Sequence, residues 1–248
     1  MAAVAEVAFA GLLTALATGI GALPVGNLGA RADAWRPALL GAAAAAMTVV
    51  SFLGLLAPAL NDGSTLAVLA GLALGVLFLI GARSLLRRHG AHDRRLGTAG
   101  RQRAALVVLV LFVHSLPEGF AIGSAWASGT EGLGVFVLVA IALQNIPEGT
   151  VTAIPLALAG ASRARQVAAA VGTSLPQPAG AVIAFLLVEE IDALLPVSFA
   201  FAAGAMLALV VADVAPDAWA KGGRGRASAG ALAGAMFMVA CAVLLGVS

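Results

Sequence analysis

Two short segments place residues that can bind metal ions inside long apolar runs. In the first, His114 is followed by Glu118, and in the second, Gln144 is followed by Glu148. An i, i+4 spacing puts both side chains of each pair on one face of a helix. A proline precedes each glutamate, and because proline cannot donate a backbone hydrogen bond, it frees the carbonyl four residues earlier. The two segments therefore predict a polar site, lined by oxygen and nitrogen atoms, inside a hydrophobic bundle.

The chemistry of these side chains favours a divalent cation. Glu118 and Glu148 together would neutralise one such ion, whereas unpaired they would have to take up protons or bear a large desolvation penalty. An imidazole with carboxylates suits zinc, iron, manganese and similar metals, while calcium and magnesium prefer oxygen ligands alone. His114 is the only histidine in an apolar run, which excludes a metalloprotease site of the His-Glu-x-x-His type. The alternative is a polar cluster that only holds two helices together.

The composition is that of an integral membrane protein. The 248 residues are 61% hydrophobic and 10% charged, and the mean hydropathy is +1.04. A soluble domain is about 45–50% apolar and about 25% charged. A β-barrel would alternate apolar and polar residues, but these apolar runs are unbroken. No phosphate-binding loop is present, and we expect neither a cofactor nor an enzymatic activity.

The apolar runs predict eight transmembrane helices in an all-α protein. At roughly 20 residues per span, residues 1–248 form one transmembrane domain with a basic linker at residues 88–103. The predicted spans are residues 4–25, 35–58, 65–87, 104–128, 132–157, 164–188, 196–219 and 228–247.

The basic residues predict how this bundle is oriented. All 14 Lys and Arg residues lie in or beside the odd-numbered loops, and the even-numbered loops carry none. By the positive-inside rule, the odd loops face the cytoplasm and both termini lie outside an inner (plasma) membrane. Attraction to anionic lipid explains the basic loops, so a nucleic-acid partner is not expected. The partners we expect are the lipid bilayer and divalent metal ions, and a homodimer is left open.

The two motifs resemble the signature of the ZIP (Zrt/Irt-like protein) divalent metal transporters, of bacterial type. His-Ser-Leu-Pro-Glu-Gly stands at residues 114–119 and Gln-Asn-Ile-Pro-Glu-Gly at residues 144–149. The eight spans, the outward termini and the linker between the third and fourth spans agree with that family. The resemblance implies a ZIP-type helical bundle that imports a divalent transition metal by alternating access. Zinc is the expected metal, and iron, manganese, cobalt and cadmium stay open.

The resemblance also implies a set of ligands. The main metal site would be formed by Met47, His114, Glu118, Gln144 and Glu148. A second site would share both glutamates and add Ser115, Asn145 and Gln177. Many family members carry asparagine at the first of these three positions and glutamate at the last. Two divalent ions on two carboxylates would leave excess positive charge in a low dielectric. We therefore expect one well-occupied metal site and a weak or vacant second one.

Two other functions remain as alternatives. One is a proton-coupled transporter of another solute, and the other is a membrane metal-binding or sensor protein that does not transport. Asp213 and Asp217, near the cytoplasmic end of the seventh span, could help metal leave or could cap the helix in headgroup water. His89 and His92 are expected to lie in a solvated linker.

Overall fold

The computed structural model describes residues 2–25, 30–90, 99–220 and 223–247. Within these residues the chain is helical and contains no β-strand. Eight long helices follow one another: α1 (Ala2–Ala22), α2 (residues 30–62), α3 (Thr65–Gly90), α4 (Ala99–Ala127), α5 (Leu133–Leu158), α6 (Arg163–Glu190), α7 (Asp192–Trp219) and α8 (Arg224–Leu244). Each predicted span falls on one of these helices. The all-α, eight-helix fold expected from the sequence is confirmed.

The surface of this bundle is suited to lipid. Among the residues whose side chains the structure describes, 7 helices are long and apolar enough to cross a membrane. The α4 helix is 29 residues long and begins with a turn that contains Arg101 and Arg103. Large apolar side chains such as Leu66 (77%) and Leu158 (84%) are exposed on the outside of the bundle. The chain is a multi-pass membrane protein.

Helix occupies both ends of the segment predicted as a linker, residues 88–103. The α3 helix continues to Gly90 and α4 already begins at Ala99. The predicted linker therefore includes helical ends, and neither Arg88–Gly90 nor Ala99–Arg103 contains a proline that would stop a helix. His89 lies on α3, and His92 is outside the described residues.

Three helices are interrupted near prolines. A π-helical segment, Val50–Leu56, divides α2, and another, Val210–Val214, divides α7. Each is followed after one further residue by a proline, Pro58 or Pro216, whose ring crowds the preceding turn. The α6 helix breaks between Thr173 and Pro176. These breaks lie in the helices that surround the polar motifs of α4 and α5.

Close backbone contacts at glycine join α1 to α5 and α4 to α6. A Cβ atom on Gly149 of α5 would lie 1.8 Å from the carbonyl oxygen of Thr18 in α1. A Cβ atom on Gly119 of α4 would lie 2.3 Å from the carbonyl oxygen of Gln177 in α6. A hydrogen bond of 2.7 Å between the hydroxyls of Thr18 and Ser174 connects α1 to α6. We call α1, α4, α5 and α6 the first helix group.

The other four helices are packed in the same manner. A Cβ atom on Gly75 of α3 would lie 2.1 Å from the carbonyl oxygen of Phe201 in α7. A Cβ atom on Gly230 of α8 would lie 2.0 Å from the carbonyl oxygen of Ala38 in α2. These helices, α2, α3, α7 and α8, form the second helix group. The groups touch mainly where α2 packs on α5 and α7 packs on α4.

Candidate metal site

The predicted site centres on Glu118, where α4, α5 and α6 meet. Both proline motifs remain helical, so the side chains of each motif project from one helix face. Gln144 of α5 donates from Nε2 to Glu118 Oε1 at 2.7 Å. Gln177, in the first turn after the break in α6, donates from Nε2 to Glu118 Oε2 at 2.6 Å. Glu118 is almost completely buried, and each of its oxygens accepts a hydrogen bond from a buried amide.

Three ligand-type atoms around this carboxylate have no hydrogen-bond partner within the described residues. They are His114 Nδ1, Gln144 Oε1 and Glu148 Oε1, and all three are buried. Buried polar atoms are nearly always hydrogen-bonded, so an unpaired set calls for an explanation. An imidazole nitrogen and amide and carboxylate oxygens are all able to bind a divalent transition metal. The unpaired atoms are thus the ones that a metal would use.

Met47 is the predicted ligand that belongs to the second helix group. It is fully buried, and it lies in α2 shortly before the π-helical segment Val50–Leu56. It is the only predicted ligand outside the first group. A cation bound by all five predicted ligands would therefore contact both groups.

The three residues predicted for a second site lie beside Glu118 but are paired. Asn145 donates to the carbonyl oxygen of Thr14 at 2.8 Å and to Gln177 Oε1 at 3.0 Å. Gln177 donates to Asn145 Oδ1 at 3.3 Å as well as to Glu118. Ser115 is buried and also hydrogen-bonds to Glu118. These side chains form a closed network among themselves rather than a set of open ligand atoms.

The structure does not bring the charged ligands together as a preassembled centre. Among the described residues, no group of three His, Cys, Asp or Glu side chains is close enough to hold a metal. Glu118 and Glu148 are near enough for their charges to repel each other, and Gln144 bonds to Glu118 alone. A bound cation would have to draw His114 and Glu148 inwards.

Comparison with known proteins agrees with the motifs. The family model described as ZIP Zinc transporter matches residues 82–242, which include both motif helices. The chain belongs to the ZIP family. This ZIP chain is 34% identical to "Zinc transporter GufA" of Myxococcus xanthus over 248 residues, which are 96% of this chain and 98% of the relative. It is 33% identical to "Zinc transporter ZIPB" of Bordetella bronchiseptica, over 93% of this chain and 78% of that relative.

The extent of the match differs among the relatives. A relative from Arabidopsis thaliana is 35% identical over 87% of this ZIP chain, which is only 35% of the relative's own length. The bacterial relatives are instead matched over most of their length, so this chain corresponds to nearly all of GufA. Family membership and the names of these relatives show a protein of metal transport, as expected from the sequence.

Two features near the site were not assigned a role from the sequence. Ser51, one turn from Met47, is buried with a hydroxyl that has no partner among the described residues. Arg83 of α3 forms an ion pair with Asp213 of α7. The i, i+4 spacing of Met47 and Ser51 is visible in the sequence, although it does not show that the Ser51 hydroxyl is unpaired. The ion pair could not, because its two residues are 130 positions apart.

Proposed function

We propose that this protein carries a divalent transition metal, zinc first, through a site formed by Met47, His114, Glu118, Gln144 and Glu148. The observation that carries the proposal is the set of unpaired buried atoms on His114, Gln144 and Glu148. The names of GufA and ZIPB support zinc as the metal. Glu118 and Glu148 would balance the charge of one divalent ion, which would make its burial feasible.

The hydrogen bonds around Glu118 support a particular order of events at the site. With no metal between them, the Gln144 amide satisfies Glu118. An arriving cation replaces the amide as the partner of that carboxylate oxygen, and Gln144 then offers Oε1, the atom that has no protein partner. The site thus exchanges one set of contacts for another and does not leave a carboxylate unpaired.

The paired state of Asn145 and Gln177 supports one main metal ion. A second ion would have to break the bonds from Asn145 to Gln177 and from Gln177 to Glu118. It would also add two positive charges without an added carboxylate. Both effects oppose binding, since buried charge needs a partner of opposite sign.

The two helix groups support alternating access by relative movement. Within each group, glycines bring backbones into direct contact, so the helices of one group are expected to move together. Between the groups many contacts involve side chains, such as Phe136 of α5, whose ring lies 3.1 Å from a Cβ atom placed on Gly54 of α2. One backbone approach also crosses the boundary, at the edge of the bundle, where a Cβ atom on Gly132 would lie 2.2 Å from the carbonyl oxygen of Leu245. In our proposal the first group carries the cation past the second.

The orientation remains as the basic residues predict. Arg36 and Arg83 both pair with aspartates near the end of α7, and we assign that side of the bundle to the cytoplasm of an inner (plasma) membrane. Both termini would then be extracytoplasmic, and zinc would enter from the side of the even-numbered loops.

Uptake of radioactive zinc into proteoliposomes tests the function and the site together. We expect zinc-dependent uptake by the native protein and its loss in Glu148→Ala. Glu131→Ala removes a carboxylate from the loop before α5 and is expected to keep uptake. Metal competition in the same vesicles ranks zinc against iron, manganese, cobalt and cadmium.

Three other results would contradict the proposal. Unchanged uptake in Glu148→Ala would exclude the proposed site. Metal binding in detergent without flux in vesicles would favour the sensor alternative, and flux of another solute without metal dependence would favour the proton-coupled one.

A further inference from the structure

Arg83 and Asp213 form an ion pair, and each follows, by four residues, a residue that lines a narrow cavity beside the candidate metal site. The cavity is lined by side chains of α3, α4 and α7, among them Leu79, His114, Glu118 and Leu209. Arg83 follows Leu79 by four residues on α3, so it lies one turn further on the same face. Asp213 follows Leu209 by four residues on α7, within the π-helical segment Val210–Val214. The ion pair therefore borders the end of this cavity.

Both helices run towards the arginine-rich loops, which our orientation places in the cytoplasm. The side chains of Arg83 and Asp213 are 21% and 30% exposed, so water reaches the pair only partly. A cation that leaves His114 and Glu118 by this route meets a fixed positive charge.

We propose that the Arg83–Asp213 pair is a charge-balanced closure at the cytoplasmic end of the metal pathway. Asp213 masks the positive charge of Arg83 while the pair is closed. When a divalent cation leaves the site, Asp213 parts from Arg83 and faces the cation, and the pair closes again behind it. Arg83 thus competes with the departing ion for the carboxylate of Asp213. This inference rests on the proposed metal transport through His114 and Glu118.

Removal of Asp213 alone and removal of both charges should have different effects on transport. Removing Asp213 leaves Arg83 uncompensated beside the pathway, where a positive charge repels a divalent ion strongly because the dielectric is low. Removing both charges leaves neither the closure nor the repulsion. A pair that only stabilises the fold would show the same loss and rescue in thermal stability, so the transport rate has to change without a matching change in melting temperature.

Zinc uptake into proteoliposomes with four variants tests this inference. Asp213→Asn is expected to lower the initial rate roughly tenfold or more, which corresponds to a barrier higher by about 1.4 kcal/mol per factor of ten. Arg83→Gln should reduce it less, and Arg83→Gln with Asp213→Asn should recover most of the native rate. Asp217→Asn is the matched control, because Asp217 pairs with Arg36 at 3.1 Å in a more exposed position on the same helix. Its rate should stay close to that of the native protein.

The outcomes separate this inference from the proposed function. Zinc uptake by the native protein with an unimpaired Asp213→Asn, or a double variant as slow as Asp213→Asn, would overturn the closure alone. An initial uptake rate in Arg83→Gln as low as that in Asp213→Asn would also overturn the closure alone. Thermal melting of each purified variant in detergent checks its folding, and native-like melting with rescue by the double variant supports the proposal. No zinc uptake by the native protein would overturn the proposed function and, with it, this inference.

Discussion

The two helix groups are packed alike but differ in where their polar residues lie. Among the described residues, every buried polar or charged side chain except Ser51 belongs to the first group, α1, α4, α5 and α6. The second group contributes Met47, a largely apolar core and the ion pairs Arg36–Asp217 and Arg83–Asp213. Glycine brings backbones into contact in both groups to a similar degree.

This contrast indicates that the polar residues are not needed for helix packing as such. The second group achieves the same close approach with glycine and alanine, as is common in membranes. Buried polar side chains are costly unless they are paired, and in the first group most of them are hydrogen-bonded across helices. Within the described part of this group, the unpaired buried atoms are the three that we assign to metal and Gln166 Oε1. The first group is therefore the part that we expect to carry the cation, and the second the part against which it moves.

The largest effect is expected from a disulfide that links the two helix groups, because it tests whether they move relative to each other. The hydroxyls of Ser124 in α4 and Ser198 in α7 are 2.5 Å apart across the boundary between the groups. Cysteines at both positions should form a disulfide, which tolerates only short separations. In a Cys241→Ala background, oxidation of Ser124→Cys with Ser198→Cys is expected to abolish zinc uptake, and reduction should restore it.

The matched control joins two helices of one group. The hydroxyls of Thr18 and Ser174, in α1 and α6, are 2.7 Å apart. Oxidation of Thr18→Cys with Ser174→Cys should leave most zinc uptake intact, because these helices are expected to move together. Equal arrest by the two disulfides would argue against the division into groups, and continued uptake with the first disulfide formed would argue against relative movement.

The second prediction concerns packing, which should be equally tight in both groups. Gly149→Ala places a Cβ atom 1.8 Å from a carbonyl oxygen in the first group, and Gly230→Ala places one 2.0 Å from a carbonyl oxygen in the second. Each should lower the free energy of unfolding by roughly 3 kcal/mol or more, since backbone cannot give way as a side chain can. Thermal melting in detergent measures both losses.

Gly81→Ala serves as the control for this prediction. A Cβ atom on Gly81 of α3 would meet nothing within 4 Å. Alanine is also the better helix former, by up to about 1 kcal/mol. The variant should melt no lower than the native protein. A tolerated Gly230→Ala would show that the second group is looser than the first.

The sequence predicted how many helices there are and which of them carry the two motifs. It did not predict which side chains hydrogen-bond to each other around Glu118. Eight apolar runs and the segregation of arginine required only hydropathy and charge, which act locally along the chain. The pairing of Asn145 with Gln177 depends on a contact between α5 and α6 that no spacing within one helix reveals. The π-helical segments were also missed. The proline after each segment is visible in the sequence, but its effect on the preceding turn depends on packing.

The third prediction tests the difference between the main and second sites within the first group. Gln177→Glu replaces an amide that donates to Glu118 by a third carboxylate. The new carboxylate should bind a second divalent ion, because it supplies the missing charge and repels Glu118 when no ion is present. Metal analysis of purified protein should then find about two zinc ions per chain where the native protein holds about one.

Gln166→Glu makes the same change elsewhere on α6. Gln166 is buried and donates to the carbonyl oxygen of Ala161, away from Glu118. Its replacement should leave the amount of bound zinc unchanged. Two zinc ions in the native protein would contradict the expectation of one main site.

The smallest expected effect concerns Met47, the one predicted ligand of the second group. The alternative to a ligand is a packing residue, since methionine often fills apolar gaps. Met47→Leu nearly preserves volume and apolar character, so a packing role predicts unchanged transport of every metal. A thioether ligand is soft and favours soft metals. We therefore expect Met47→Leu to raise the KM for cadmium by roughly tenfold and that for zinc by only about threefold. Among the predicted ligands, only this sulfur atom would connect the cation to the second group. If Met47→Leu leaves the KM for each metal at its native value, the site is restricted to the first group.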